Sequence, residues 1–401
     1  MFSSNPPLGL YIHLPWCEQK CPYCDFNSHQ ADSIPEQAYI EALLEDLEQD
    51  LPLIWGRGID SIFIGGGTPS LFSAAAIEQL FSGLRSLLNI APAIEITMES
   101  NPGSADAENY QGYREAGVNR LSIGVQSFND QHLKTLGRVH NAEQAARAFA
   151  IARRAGFDNI NLDLMFGLPA QSLADASNDL EQAIALGPEH ISLYQLTLEP
   201  NTLFHHHPPA SMPDDDLCWE QQNDCQVLLA RHGYDQYEVS AYGLDKRECK
   251  HNLNYWHFGD YLGIGAGAHG KITLGGENRV LRRVRQRQPR AYLERPGSDR
   301  ISSETVLDED DLVFEFMLNA LRLKHGFDTS LFRDNTGLSL NSLLPGLEQA
   351  RDKGLIDFDG VKIVPTELGF CHLNDLQALF LQLHDAKRRP FFESSGKITH
   401  N

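Results

Sequence analysis

Three cysteines, Cys17, Cys21 and Cys24, fall within eight residues in the spacing C-x3-C-x2-C. A single tight loop can turn three such thiolates toward one small inorganic group. Zinc wants four ligands in closed tetrahedral geometry. The loop therefore either recruits a nearby histidine, His13 or His29, to complete a zinc site, or holds an iron–sulfur cluster with one iron left open. The glycine-rich stretch I-F-I-G-G-G-T-P at 62–69 follows one βα unit later. Two further stretches bear on chemistry. K-H-N-L-N-Y-W at 250–256 sets a histidine beside two aromatic residues, and R-V-L-R-R-V-R-Q-R-Q-P-R at 279–290 makes an acidic chain locally basic. If the latter is a strand, Arg283, Arg285 and Arg287 share one face, because side chains alternate with period two. That face suits carboxylates or phosphates; equally, it is the charging of an exposed edge against aggregation.

The elements that must position these residues alternate short apolar runs with longer amphipathic ones. Strands are expected at 8–14, 59–64, 94–99, 120–125, 160–165 and 191–196, with helices at 36–51, 74–88, 107–116, 142–155 and 174–186. Repeated βα units with right-handed crossovers give a parallel sheet with helices outside. Each strand ends in a polar or glycine-bearing stretch: the cysteine loop, G-G-G-T-P, E-S-N-P-G, G-V-Q-S-F, D-L-M-F-G-L-P and Q-L-T-L-E-P. In a barrel such ends converge on one face. Six units instead of eight predict a partial (β/α)6 barrel of the α/β class.

Beyond Pro200, His205, His206 and His207 before two prolines read as a solvated turn, and Asp214 to Asp216 as the cap and first turn of a helix. The glycines of Y-L-G-I-G-A-G-A-H-G at 261–270 imply close backbone approach. After Glu309, helices near 310–323, 339–352 and 372–383 surround a hairpin turning at Asp359–Gly360, a winged-helix-like α+β module. The expected division is 1–235 for the barrel core, 236–305 for an extension carrying the H-N-x-x-Y-W and arginine stretches, and 306–401 for the small C-terminal domain.

The chain has 401 residues, enough to bury roughly 75% of its unfolded surface without disulfides. Four of its seven cysteines are scattered, which reads as reduced packing residues and a cytoplasmic setting. A formal charge of −21 argues against nucleic acid as a partner. The N-terminus lacks the marks of a signal peptide, and no segment approaches the ~20 apolar residues of a membrane span, so an integral membrane protein is not expected.

The cysteine loop together with G-G-G-T-P resembles the radical S-adenosylmethionine (SAM) superfamily. The resemblance implies a 4Fe–4S cluster on Cys17, Cys21 and Cys24, with SAM on the open iron. It further implies SAM contacts at Tyr11, Tyr23, Gly66, Gly67, Thr68, Glu99, Gln126, Arg138, Asp163, Thr197 and His269, the last two differing in type from the related enzymes. Y-I-H-L-P-W-C, G-V-Q-S-F and D-L-M-F-G-L-P narrow the resemblance to the coproporphyrinogen III dehydrogenase group. That group has two functions. The dehydrogenase carries a fourth cysteine where Phe26 stands here; a heme-chaperone branch has C-D-F and H-N-x-x-Y-W, both present.

The second branch implies heme as a ligand, a heme-acceptor protein such as a membrane respiratory enzyme, and an electron donor. His251 is then the candidate axial ligand, Tyr255 and Trp256 the flat apolar surface, and Arg283, Arg285 and Arg287 the propionate partners. The bland reading of His251 is a buried histidine packing the end of the barrel. Oxidative decarboxylation of coproporphyrinogen III stands as the alternative activity.

Overall fold

A computed structural model describes residues 2 and 4–381. Six parallel strands, Leu8–Leu14, Gly58–Gly66, Asn89–Ser100, Arg120–Gln126, Ile160–Phe166 and His190–Gln195, lie side by side in chain order. Their outward residues are apolar and bury under the helices: Leu8, Leu10, Ile12 and Leu14 of the first strand are 1% exposed or less. The helices Glu36–Asp50, Ala74–Leu87, Ala107–Ala116, Ala142–Arg154 and Leu173–Leu186 follow the predicted ones within one or two residues. A short helix, Asp130–Thr135, was not foreseen, because six residues are too few to show a helical period.

The sheet does not close on itself. At the first strand it continues through Asp260–Ile264, which pairs in parallel, and then antiparallel through His269–Leu274, Arg279–Arg285 and Ile301–Val306. At the sixth strand it continues through Ala241–Gly243 and Asp235–Glu238. The result is a twelve-stranded partial barrel whose extension belongs to the same sheet.

The basic stretch is a strand, and Arg283 and Arg285 do share a face. That face is covered by the first helix. Arg285, 1% exposed, pairs with Asp46 at 2.8 Å and Asp50 at 2.7 Å. Arg283 pairs with Asp50 and Glu304, both at 2.6 Å. Tyr292 donates to Asp46 as well, at 2.7 Å. These arginines therefore clasp the extension to the first helix, and neither presents a free guanidinium to a propionate. Arg287 lies beyond the strand end and is exposed.

The expected histidine turn instead contains one turn of helix, Leu203–His206, because Thr202 accepts from the amide of His205 and Phe204 buries. Asp214 caps helix Asp215–Arg231 as foreseen, accepting from the amide of Leu217. The C-terminal part packs a second core around Phe316, Phe332, Leu347 and Ile363, to which Phe258 and Val280 of the sheet extension contribute. Its hairpin pairs Ile356–Phe358 with Lys362–Pro365, and Phe327–Asp328 adds a third strand. Helices Glu309–Ala320, Leu344–Asp352 and Leu373–Ala378 stand near the predicted places, and Thr329–Thr336 and Glu367–Cys371 are additional. The last predicted helix ran to 383, and residues 382–401 of the expected domain lie outside the described residues.

Candidate cluster and cofactor site

The cysteine loop leaves the first strand at Leu14 and returns at His29, where Trp16–Cys17 pairs with His29–Gln30. Its three thiols are free of disulfides. Burial pushes the thiols of Cys17 and Cys24 up. The Thr68 hydroxyl donates to Cys17 at 3.5 Å, Ser28 Oγ lies 3.9 Å from Cys24 Sγ, and Arg138 donates to Cys21 at 3.7 Å. Donors aimed at sulfur favour the thiolate, the form that binds metal.

Sequence reasoning missed what anchors this loop. His13 shares hydrogen bonds with the Tyr11 hydroxyl at 2.9 Å and with the Asn27 carbonyl at 2.8 Å. Burial lowers its pKa to about 4, so the ring is neutral. With both ring nitrogens engaged, His13 is not a fourth ligand for zinc. Asn27 in turn donates to the carbonyls of Ala266 and Arg287, at 2.8 and 2.9 Å. Gly267, at φ +80°, makes room: a Cβ there would fall 2.2 Å from Asn27 Nδ2. The only signal for His13 was its two-residue spacing from Tyr11, which places both on one strand face. Nothing marked Asn27.

The glycine-rich stretch lies against the same loop. Gly67 donates to the Leu14 carbonyl and Thr68 to the Trp16 carbonyl, each at 2.8 Å. A Cβ on Gly67 would sit 2.5 Å from the Trp16 oxygen. The absence of side chains thus serves the docking of strand end on loop, and it also leaves the backbone bare toward the barrel mouth. Beneath it, Glu99 accepts from the Gly66 amide at 3.1 Å, and its pKa is pushed up to about 8 by burial and by Asp163. Asp163 accepts from Ser122 and Asn161, at 3.0 and 2.8 Å. Gln126 adopts φ +69° at the next strand end, and Arg138 reaches over it to the Gly124 carbonyl at 2.8 Å. Helix Leu173–Leu186 holds that turn through Asp179, which accepts from Ser127 and Phe128, both at 2.7 Å.

Tyr11, Gly66, Gly67, Thr68, Glu99, Gln126, Arg138 and Asp163 are therefore gathered at or just below one barrel mouth, with Tyr23 beside Arg138 and Cys21. His269 stands across from His13. Thr197 is exposed, past the end of the sixth strand.

His251 lies at the opposite end. Helix Lys250–Trp256 seals the barrel floor, and the imidazole, 1% exposed, shares hydrogen bonds with Ser61 Oγ at 2.9 Å and the Tyr255 hydroxyl at 3.1 Å. A Cβ on Gly9 would already meet its Cε1 at 3.1 Å. Burial lowers its pKa to about 3. Iron has no approach to either nitrogen in this conformation, which departs from the axial-ligand expectation for a plain reason: the ring fills the floor. Trp256 stacks under Arg322, with the guanidinium carbon 4.3 Å from the ring centre, instead of offering a free face. The floor is nevertheless joined to the mouth by stacked rings. Tyr11 packs on Phe63 at 6.3 Å and Phe63 on His251 at 5.3 Å between ring centres.

Comparison with known proteins bears on this geometry. The Radical SAM superfamily profile matches residues 11–183 and the HemN C-terminal domain profile residues 307–372. A protein of Escherichia coli named heme chaperone HemW is 48% identical over 94% of this chain and 98% of its own length. Its Haemophilus influenzae namesake is likewise 48% identical, over 94% and 98%. The chain belongs to the HemW family. The solved structure of E. coli coproporphyrinogen III oxidase, HemN, described as a radical SAM enzyme, superposes with a TM-score of 0.79 over 94% of this chain and 90% of its own, at 23% identity. That likeness establishes the fold. Radical SAM membership implies a 4Fe–4S cluster and SAM, and the donor set fits them: three free thiols of one loop, met by hydroxyl and guanidinium donors, beside a mouth of backbone amides, carboxylates and an arginine. Among the described residues no helix is long and apolar enough to cross a membrane.

Proposed function

We propose that this chain binds heme and passes it to an acceptor protein, carrying a 4Fe–4S cluster on Cys17, Cys21 and Cys24 with SAM as its exchangeable ligand. The observation that carries this reading is near-half identity, over nearly the full length of both chains, to proteins named as heme chaperones. When bound, the cluster and SAM supply one-electron chemistry at a sulfonium. The residues' own tasks follow from their placement. Cys17, Cys21 and Cys24 hold the metal as thiolates. The bare backbone at Gly66 and Gly67 takes the SAM amino group, Arg138 its carboxylate, Glu99 and Asp163 the ribose hydroxyls. Tyr11 and Tyr23 supply aromatic surface; Thr68 and Gln126 add polar contacts. Thr197 and His269 close the set.

For heme, Tyr255 and Trp256 remain part of the floor helix, and ligation by His251 would require that helix to leave the barrel. The acceptor we infer is a membrane respiratory enzyme, with a separate electron donor and a cytoplasmic setting. Hemin titration of the anaerobically reconstituted full chain, followed by the Soret band, tests the reading. Saturable one-to-one binding supports it. Failure to bind, with turnover of coproporphyrinogen III given SAM and a reductant, would replace it with oxidative decarboxylation.

A further inference from the structure

The floor helix Lys250–Trp256 is held from two sides. On the barrel side, His251 is bonded to Ser61 and Tyr255, and Glu95 accepts from the Cys249 thiol at 3.5 Å and from the His251 amide at 3.2 Å. Leu253 and Trp256 pack instead on the core of the C-terminal domain. There Arg322 lies over the Trp256 ring and pairs with Glu238 of the sheet at 2.9 Å. Asn335, 6% exposed, donates to the carbonyl of His257, which ends the helix, at 2.7 Å. The C-terminal domain therefore backs the helix on the face turned away from the barrel. That backing is incompletely satisfied: among the described residues, the buried Trp256 Nε1 and Arg322 Nε have no hydrogen-bond partner. Buried donors left unpaired cost the seated helix stability.

Both ring nitrogens of His251 are engaged while the helix is seated, so iron meets the imidazole only after the helix moves out and both bonds break. Outward travel runs into the C-terminal domain. Resting on the heme-binding reading, we propose that Arg322 and Asn335 are positioning residues for heme: by fastening the outer face of the floor helix they set how often His251 is free to take iron. Observed affinity is then that of the unseated helix, reduced by the fraction of molecules in that form. Loosening the fastening raises the fraction and tightens binding. Loss of a ligand, or a general loss of structure, would do the reverse.

The test combines amide hydrogen exchange across Lys250–Trp256 with hemin titration of the reconstituted full chain, followed by the Soret band. Arg322→Gln, which removes the cation from the Trp256 ring, is expected to speed exchange in the helix and to tighten hemin binding, each by about three- to tenfold. Iron and sulfide content should stay at the wild-type level. Asn335→Ala deletes one hydrogen bond and no charge; it should act in the same direction, and it carries the test if Arg322→Gln misfolds. Arg333→Gln alters a side chain of the same domain that is 67% exposed, beside Asp334; it should change neither readout. Hemin binding in Arg322→Gln and Asn335→Ala that equals or falls below that of a binding wild type would overturn the fastening and leave the chaperone reading standing. A wild-type chain that does not bind hemin would overturn both.

Discussion

His251 Nδ1 lies 2.9 Å from Ser61 Oγ, across 190 residues of sequence, in the floor of the barrel. Replacing this ring with alanine opens a buried cavity and leaves Ser61 and Tyr255 without a partner. His251→Ala is expected to cost about 2–4 kcal/mol of stability, measured by urea unfolding of the loaded protein. Unchanged stability with lost heme binding would instead make His251 a ligand.

Arg285 is enclosed with Asp46 and Asp50, and removing one partner leaves buried charge uncompensated. Arg285→Ala should destabilise by about 3–5 kcal/mol. Arg279→Ala, where the side chain is 43% exposed beside Glu277, should cost less than about 1 kcal/mol in the same unfolding series. Equal costs would mean that the clasp contributes nothing special.

Loss of any one cluster thiolate should abolish the brown chromophore. Serine at Cys17, Cys21 or Cys24 is expected to remove iron and sulfide from the anaerobically reconstituted chain. Serine at the buried Cys218 or Cys225 should leave both in place. Iron and sulfide analysis decides, and full cluster content in Cys17→Ser would sink the ligand set.

Glu99 has its pKa raised to about 8. Between the ordinary carboxylate range and about pH 8 the folded protein holds a proton that the unfolded chain has released, so stability from this site falls as pH rises through that window. Glu99→Gln should therefore raise the melting temperature of the cofactor-free protein at pH 8.5 by about 2–4 °C, with the gap closing toward pH 5. Glu99 is only partly buried, and solvent screening holds the effect to this size. SAM affinity by calorimetry should fall at the same time. A melting difference independent of pH would contradict the assignment.

Gly67 has no room for a methyl group, whereas Gly276 has nothing within 4 Å of its missing Cβ. Gly67→Ala is expected to push the strand end off Trp16 and weaken SAM binding by at least about tenfold, roughly 1.4 kcal/mol. Gly276→Ala should bind SAM as wild type does. Indistinguishable affinities would remove Gly67 from the site.

The barrel was legible because its signals are local. Period-two runs such as Leu8–Leu14 and helical periods such as Ala107–Ala116 each report an element within a dozen residues. The cysteine spacing and G-G-G-T-P were legible for the same reason. Arg283 and Arg285 show where that reasoning stops. Alternation correctly put them on one face, but what the face meets is Asp46 and Asp50, more than 230 residues away. The histidine of H-N-x-x-Y-W was visible as chemistry and not as position. Asn27 carried no signal at all, since its role exists only once Ala266 and Arg287 arrive beside it.

By itself, the sequence determined the six βα units, the loop that presents three thiols and the order of polar strand ends around one mouth. Those follow from backbone periodicity and from side-chain chemistry within single segments. Only the tertiary structure decided which of the candidate groups are already used. Burial and pairing depend on contacts between distant segments, and those contacts close His251 into the floor, commit Arg283 and Arg285 to the first helix, and leave Phe26 and Arg287 exposed.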